Sequence, residues 1–570
     1  MAKEIVLADY LFARLQQIGI DTLFGVPGDY NLTLLDHVQP SGLHWVGNAN
    51  ELNAGYAADG YAKIKGCGAL VTTFGVGELS AVNAIAGAYA ERAAVVHIVG
   101  SPPRSTQDAR LLVHHTFNDG EYGRFAKMYE AVTVASVSIR DARTATSQID
   151  GALRECLVHS RPVYIDIPVD MVDSEVDASS LDTVITIPEL LATGSQQTVL
   201  DDVLQKIQAA KSPAILVDGE VRSLRIVEQV EELVRATGWP TWTTAFGKGL
   251  INETLPNFNG IYQGRFDRKE VQDAFQNSDL VMTFGPHYSS TNTYAFSSIP
   301  ASTTTISFSD IITVHNNKHR DVSPRLLLAA LLPALSSISP PKHSPPSLRS
   351  SPVSCPESGS LTQSALWSVI NPILKPGDII LGETGTAGHG ARHFELPEHC
   401  RMFLPVTWLS IGYMLPASLG AALAQRDLGR SNKSHVGDRT ILFIGDGSFQ
   451  MTAQELGTII REDLNMIIFL LNNDGYTIER CIHGLKEGYN DVSRWRYLLA
   501  PAMMGAKEGT YTKRAGTWEE LRDLLSDIKL TGGSSLRMVE LMLASEDAPS
   551  GPLWHMLKEQ QRIEVEKSKK

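Results

Sequence analysis

Cysteine is scarce and scattered: Cys67, Cys156, Cys355, Cys400 and Cys481 are the five in 570 residues, and no two form a CxxC pair. That spacing argues against a disulfide framework and a cysteine zinc site, and fits reduced thiols. Long apolar runs are missing too, since no stretch approaches the roughly 18 residues that a membrane helix needs. The opening MAKEIVLADYLFARL puts charges where a secretory signal carries its apolar core, so an amphipathic helix and a cytosolic protein are expected. Positive charge is not in excess: 50 Lys and Arg against 63 Asp and Glu leave a formal net charge of −13. That balance gives no general attraction to nucleic acid or anionic membranes and points to small molecules as partners. Short tandem repeats are absent as well, which sets solenoids aside.

What is present is a long α/β pattern. The length suggests about three or four domains, and strand-like runs alternate with helical patterns in three series. The first, with TLFGV from Thr22, HWVGNAN from His44 and AVVHIVG, spans residues 1–180. The second, with PAILVDG from Pro213 and DLVMTFG from Asp279, spans residues 198–335. Residues 336–360 have the proline and serine content of an extended linker. The third series, with DIILGETG, TILFIGDGS and MIIFLLNNDG, spans residues 361–550, and a C-terminal tail of residues 551–570 follows.

The most informative segment is RTILFIGDGSFQMTAQELGTIIREDLNMIIFLLNNDGYTIE, which starts at Arg439. It reads strand, glycine turn, helix, strand, loop. A right-handed crossover makes the two strands parallel, so Asp446 and Asn473 leave the same edge of a sheet, where open α/β sheets bind ligands. Gly447 permits close backbone approach, and the helix after Ser448 directs free amides toward an anion such as a diphosphate. Asp446, Asn473 and the carbonyl of Gly475 supply the oxygen ligands that magnesium prefers. A GDG by itself is more often an ordinary turn.

GDGS followed at this separation by NNDGYTIE resembles the thiamine-diphosphate motif, and NNDGYTIER is similar to the fungal-type pyruvate decarboxylase family in particular. The resemblance runs from LFGVPGDYNL near the start to RMVELML near the end. It implies three doubly wound parallel-sheet domains, with thiamine diphosphate and Mg2+ as cofactors. Glu51, in GNANELNAGYAADGYAKIKG, would by itself complement a helix dipole. The resemblance makes it the carboxylate that hydrogen-bonds N1′ of the cofactor and drives the imino tautomer. Ile411, in WLSIGYMLPASLGAA, takes the family's position for a prop between the cofactor's rings. Leu409 stands where these enzymes commonly have a glycine whose carbonyl receives the cofactor's amino group. Thr384 and Ile478 complete the expected cofactor pocket.

Asp29, His114, His115 and Glu479 read singly as a helix cap, two surface histidines and a helical glutamate. Together they match the family's ionisable cluster. Glu479 is then assigned to the substrate carboxylate and proton transfer, Asp29 and His115 to later protonation and release, and His114 to their support. The implied reaction is non-oxidative decarboxylation of a 2-oxo acid, pyruvate first, to the aldehyde and CO2 through an enamine on the cofactor. Phenylpyruvate, indolepyruvate or branched-chain substrates, a carboligase, and a non-enzymatic assembly paralogue stay open as alternatives. The resemblance also implies a site shared between two chains, with a homodimer as the minimum and a homotetramer expected. Glu220 or Val221 occupies the position of a regulatory cysteine and Arg92 that of a relaying histidine, so thiol-triggered activation is not expected. Thr291, Gly388 and His389 fall where simple pyruvate decarboxylases have aromatic bulk, with Ile478 and Ile482 keeping an apolar wall, so a wider substrate pocket is expected.

Overall fold

A computed structural model describes residues 4–188, 191–338, 341–343, 347–349, 351–431 and 436–569. The first sheet contains β1 (Thr22–Gly25), β2 (His44–Gly47), β3 (Gly68–Thr73), β4 (Val95–Ser101), β5 (Ala135–Ser138) and β6 (Val163–Pro168). All are parallel, in the order 2-1-3-4-6-5. Both β3 and β4 are buried along their whole length, which is why they read as nearly unbroken apolar runs. Helices α1 (Glu51–Lys65) and α2 (Val76–Ala90) are two of the crossovers. An antiparallel ribbon, Glu4–Val6 with Glu175–Asp177, ties the two ends of this domain together.

The central sheet contains β7 (Pro213–Val217), β8 (Thr241–Thr243), β9 (Phe258–Ile261), β10 (Leu280–Phe284), β11 (Thr305–Phe308), β12 (Ile312–Val314) and β13 (Asn317–His319), in the order 9-8-7-10-11-12-13. Its first five members are parallel, but β12 and β13 join antiparallel, so this sheet is mixed rather than wholly parallel. Two tight turns cause this: residues 309–311 reverse the chain between β11 and β12, and His315 and Asn316, with φ values of 45° and 80° that suit strand twist, reverse it again before β13.

The third sheet contains β14 (Ile379–Gly382), β15 (Arg401–Phe403), β16 (Thr440–Gly445), β17 (Met466–Asn472), β18 (Tyr511–Ala515) and β19 (Arg537–Met542), all parallel, in the order 15-14-16-17-19-18. This is the permutation of the first sheet. The helix after its second strand, α3 (Met414–Ser431), is therefore the counterpart of α1, and the two pack on each other. Glycines set their separation. A Cβ on Gly60 would lie 2.1 Å from the Ala417 carbonyl oxygen, and one on Gly420 would lie 1.9 Å from that of Ala57. Beside this crossing, Thr22 and Tyr61 both donate to Asp427, at 2.7 and 2.9 Å, and the Lys63 ammonium donates to the Tyr413 hydroxyl at 2.7 Å.

The proline-rich connection is held along the surface by arginines. Arg349 donates to the carbonyls of Glu253, Leu255 and Phe258, and Arg522 to those of Pro356 and Glu357. The third domain also contains α4 (Asp446–Thr452) and α5 (Thr477–Ile482). Most of the expected tail is helical instead: α6 (Pro552–Lys567) buries Leu553 and Leu557 in a small apolar cluster with Cys481 of α5. Apolar residues at helical spacing, 553 and 557, explain the docking. Among the described residues, no helix is long and apolar enough to cross a membrane.

Candidate active site

Strands β14, β16 and β17 are neighbours, so Thr384, Asp446 and Asn473 leave adjacent carboxyl ends and meet in one crevice. Asp446 opens α4 and is 1% exposed. Its carboxylate accepts from the amides of Gly447 and Gly475, at 2.8 and 3.0 Å. Burial nevertheless pushes its pKa up to about 6, against the pull of those amides. Gly475 has φ 133°, and a Cβ there would strike the Asn490 carbonyl at 2.3 Å, so the loop that turns this carbonyl inward requires glycine. Ser448 is buried in the first turn of α4, and Gly447 lies against the Tyr476 ring.

Two observations test whether this crevice suits a metal and a phosphate group. The terminal amide atom of Asn473 that faces Asp446 lies 3.1 Å from its Oδ1 and 2.8 Å from the Gly475 carbonyl oxygen. Placed as oxygen, it makes three acceptors converge with no hydrogen between them, an arrangement that a hard dication satisfies. Placed as nitrogen, it donates to both while its oxygen accepts from Thr477. The second observation is Thr384, whose hydroxyl is buried without a hydrogen-bond partner. With only the neighbouring Glu383 carboxylate to turn to, this buried hydroxyl at the adjacent strand end is free to donate to an anion in the crevice. The residues fit the pair of cofactors.

The other edge lies in the first domain. β2 leads through Asn48 and Ala49 to Asn50, whose side chain caps α1 by accepting from the Asn53 amide, and Glu51 is the first helical residue. Glu51 is half-buried, lies over Gly77 and makes no side-chain hydrogen bond among the described residues. After β1, Asp29 receives His114 Nε2 at 2.5 Å, and His115 Nε2 lies 3.9 Å from its other oxygen. Tyr30 stacks on His114 with ring centroids 5.0 Å apart. Asp29, His114 and His115 are thus brought together, on open loops.

Leu409 and Ile411 stand on a loop that docks onto the first domain of the same chain. Ser410 Oγ lies 2.6 Å from the Tyr56 hydroxyl, and Trp408 donates to Asn83. Leu409 has φ 55°, a left-handed conformation that a leucine holds at a cost of about 1–2 kcal/mol. Ile411 is half-buried. Ile478 approaches Gly385 at the start of α5, and Glu479 beside it is exposed. Among the described residues, no hydrogen bond or ion pair joins Asp29, Glu51, His114 or His115 to Asp446, Asn473 or Glu479.

Known proteins share this arrangement. The N-terminal TPP binding domain of thiamine pyrophosphate enzymes matches residues 5–121, their central domain residues 200–330, and their C-terminal TPP binding domain residues 383–536. A pyruvate decarboxylase of Aspergillus parasiticus is 54% identical over 95% of this chain and 95% of its own. Pyruvate decarboxylase isozyme 1 of Saccharomyces cerevisiae is 38% identical over 96% of this chain and 97% of its own. The chain belongs to the pyruvate decarboxylase family of thiamine pyrophosphate enzymes. A solved structure of the Rhodococcus jostii RHA1 thiamine diphosphate-dependent 4-hydroxybenzoylformate decarboxylase is 18% identical, with a TM-score of 0.76 over 95% of this chain and 99% of that one. That likeness is one of fold.

Within this pyruvate decarboxylase-family frame, three buried carboxylates carry positioning roles that sequence reasoning missed. Glu383 accepts from the amides of Thr384 and Met414, at 2.7 and 2.8 Å, and so ties the cofactor loop to β14; burial pushes its pKa up to about 7. Glu455 accepts from Asn48 at 2.7 Å and anchors the residues that precede Glu51. Glu78 accepts from the Gly75 amide and the Tyr164 hydroxyl, and burial raises its pKa to about 8. A glutamate directly after an apolar strand, as in DIILGETG, was the available signal for Glu383.

The two residues read at the regulatory cysteine position lie in different surroundings. Val221 is fully buried, whereas Glu220 pairs with Arg92 at 2.9 Å and with His287 Nδ1 at 2.9 Å. Gly388 does not open space as expected, because a Cβ there would lie 2.6 Å from the Glu383 carbonyl oxygen. Its missing side chain serves helix packing.

Proposed function

We propose that this chain decarboxylates a 2-oxo acid without oxidation, pyruvate first, releasing the aldehyde and CO2 in the cytosol. The observation that carries the site assignment is the convergence of Asp446, Asn473 and the Gly475 carbonyl beside the unpartnered Thr384 hydroxyl. Those three oxygens would hold Mg2+, and Gly447, Ser448 and Thr384 would receive the diphosphate. Bound thiamine diphosphate supplies a nucleophilic carbon and a sink for the electron pair left when CO2 departs.

The chain's own residues do the rest. Glu51 holds or yields a proton at the pyrimidine nitrogen N1′, which its unpaired carboxylate is free to meet. Ile411 would support the bound cofactor with an apolar side chain, and the Leu409 carbonyl would receive its amino group. Ile478 excludes water beside Glu479, which receives the substrate carboxylate end. Asp29 and His115, with His114 in support, deliver a proton to carbon and withdraw one from the product hydroxyl. No hydrogen bond joins Glu51 to Asp446 within one chain, and by family resemblance the two would meet across subunits, so the smallest active unit in this reading is a homodimer, and a tetramer is its expected assembly.

The test is purified protein incubated with thiamine diphosphate, Mg2+ and a panel of 2-oxo acids, with aldehyde, CO2 and carboligation product all measured. Aldehyde should dominate and should vanish without either cofactor. A dominant carboligation product, or no turnover of any 2-oxo acid, would refute the assignment.

A further inference from the structure

Away from the cofactor crevice, a cavity of about 750 Å3 opens where the three domains meet. Its lining includes Lys65 and Arg92 of the first domain, Arg222, Arg225 and Arg325 of the second, and Arg401 of the third. No aspartate or glutamate lines it among the described residues. In a chain with a formal net charge of −13, such a concentration of one sign needs a cause.

Some of the lining cations are already matched. Lys63, at the same wall, pairs with Asp59 and Glu91, each at 3.3 Å; Lys65 pairs with Asp21 and Arg92 with Glu220 and Asp310. Four arginines are not. Arg222 donates to the Glu91 backbone carbonyl at 3.1 Å, Arg225 to that of Leu157 at 3.0 Å and Arg401 to that of Ile64 at 3.2 Å. The Arg325 backbone carbonyl accepts from Gln229 at 3.3 Å, but its side chain makes no hydrogen bond or ion pair among the described residues, and none of the four guanidiniums has a described carboxylate within ion-pair distance.

These charges are also held in opposition. Burial lowers the pKa of Arg222, Arg225 and Arg401; Arg401 adds like-charge repulsion on Arg222, and Arg325 on Arg225. The buried carboxylates of Asp59 and Glu91 offset part of this at Arg222, and Glu228 at Arg401. Backbone strain accompanies the repulsion, since Arg92 and Arg225 take left-handed φ values of 53° and 58°. A fold that spends strain to gather guanidiniums without direct ion-pair partners around a cavity is preorganised for an anion.

We infer that this inter-domain cavity binds a phosphate-rich small polyanion, of the class of an organic bisphosphate. The charge match selects that class: a phosphomonoester group carries about −1.5 to −2 at neutral pH, so two such groups meet four guanidiniums that lack ion-pair partners, whereas a monoanion leaves most of them without one. Planar guanidinium forks suit phosphate oxygens bidentately.

The test uses holoprotein saturated with thiamine diphosphate and Mg2+, so that the diphosphate crevice is filled. Fructose 1,6-bisphosphate and inorganic phosphate are titrated separately by calorimetry at constant ionic strength. One saturable bisphosphate site per chain is expected, about tenfold or more tighter than phosphate. Arg225→Glu with Arg325→Glu should weaken it about 30-fold or more, and Lys318→Glu, on an exposed strand away from the cavity, should leave it unchanged. Should the double reversal not fold, the exposed Arg325→Gln must still weaken binding about threefold. No saturation by about 10 mM, equal affinity for the two probes, or binding indifferent to the arginine variants would each overturn the inference.

Discussion

The first and third sheets share one strand order, yet their working edges are built in opposite ways. Asp446 is 1% exposed and held by two amides, whereas the side chains of Asp29 and His114 are 49% and 58% exposed on loops. The third-domain edge is buried and fixed by its own backbone amides, as suits a site that must hold a metal and a diphosphate in one geometry. The first-domain edge keeps its ionisable groups in reach of water and awaits a covering surface. In the proposed mechanism, one topology would serve once to hold a cofactor and once to exchange protons.

The sharpest way to break this contrast is Glu51→Gln. Turnover should fall by about 100- to 10,000-fold while the far-ultraviolet spectrum and cofactor binding persist, because an amide cannot yield the proton at N1′. A variant with near-parental turnover would remove Glu51 from the chemistry. Next in size is complementation between halves. Equal mixing of Glu51→Gln and Asp446→Ala subunits should return about a quarter of parental activity, since half of the random dimers carry one intact site of two. Activity that stays at background after exchange is shown by mass spectrometry would place both halves in one chain.

Protonation should separate the two domains more gently. Glu383 has a usual pKa of 4.5 and a folded value of about 7, so the folded state binds its proton more tightly. That stabilisation is complete below about 4.5 and is lost as pH rises through about 7, amounting to roughly 3 kcal/mol. In cofactor-free protein, Glu383→Gln should flatten the decline in urea midpoint across this window. Glu78→Gln should instead flatten a decline that extends to about 8. Equal pH profiles for parent and Glu383→Gln would show that the buried carboxylate is not the titrating group. The smallest effect belongs to Leu409→Gly, where relief of a left-handed leucine is offset by added chain entropy. A net gain of about 1 kcal/mol or less in stability is expected, with tighter cofactor binding by equilibrium dialysis; looser binding would mean that the leucine side chain itself contacts the cofactor.

Much of this was legible in the residues. Uninterrupted runs such as TILFIG and MIIFLL announce strands buried on both faces, and GDG with NNDG fixes where two of them release ligands. Asp29, His114 and His115 do meet, although their separation in sequence gave no measure of distance. The antiparallel hairpin of the central domain was missed because its turn signal, His315 and Asn316, lacks the glycine that usually marks such turns. Glu383, Glu78 and Glu455 were missed for a different reason. Burial of a carboxylate depends on three-dimensional neighbours, and an isolated glutamate in sequence reads as surface. The helix at 552–567 escaped because its apolar positions are few and its polar face is long.

The glycine crossing of α1 and α3 acquires a mechanical meaning once each chain lends its halves to two different sites. Glu51 opens α1, and the loop bearing Leu409 and Ile411 leads into α3, so the crossing is a strut between one active site and its twin. With backbone oxygens within about 2 Å of where a methyl would stand, the strut has no slack for side chains to absorb. In the proposed dimer, a shift of the carboxylate at one centre would be transmitted as a shift of the ring support at the other, and the two turnovers would be geared rather than independent.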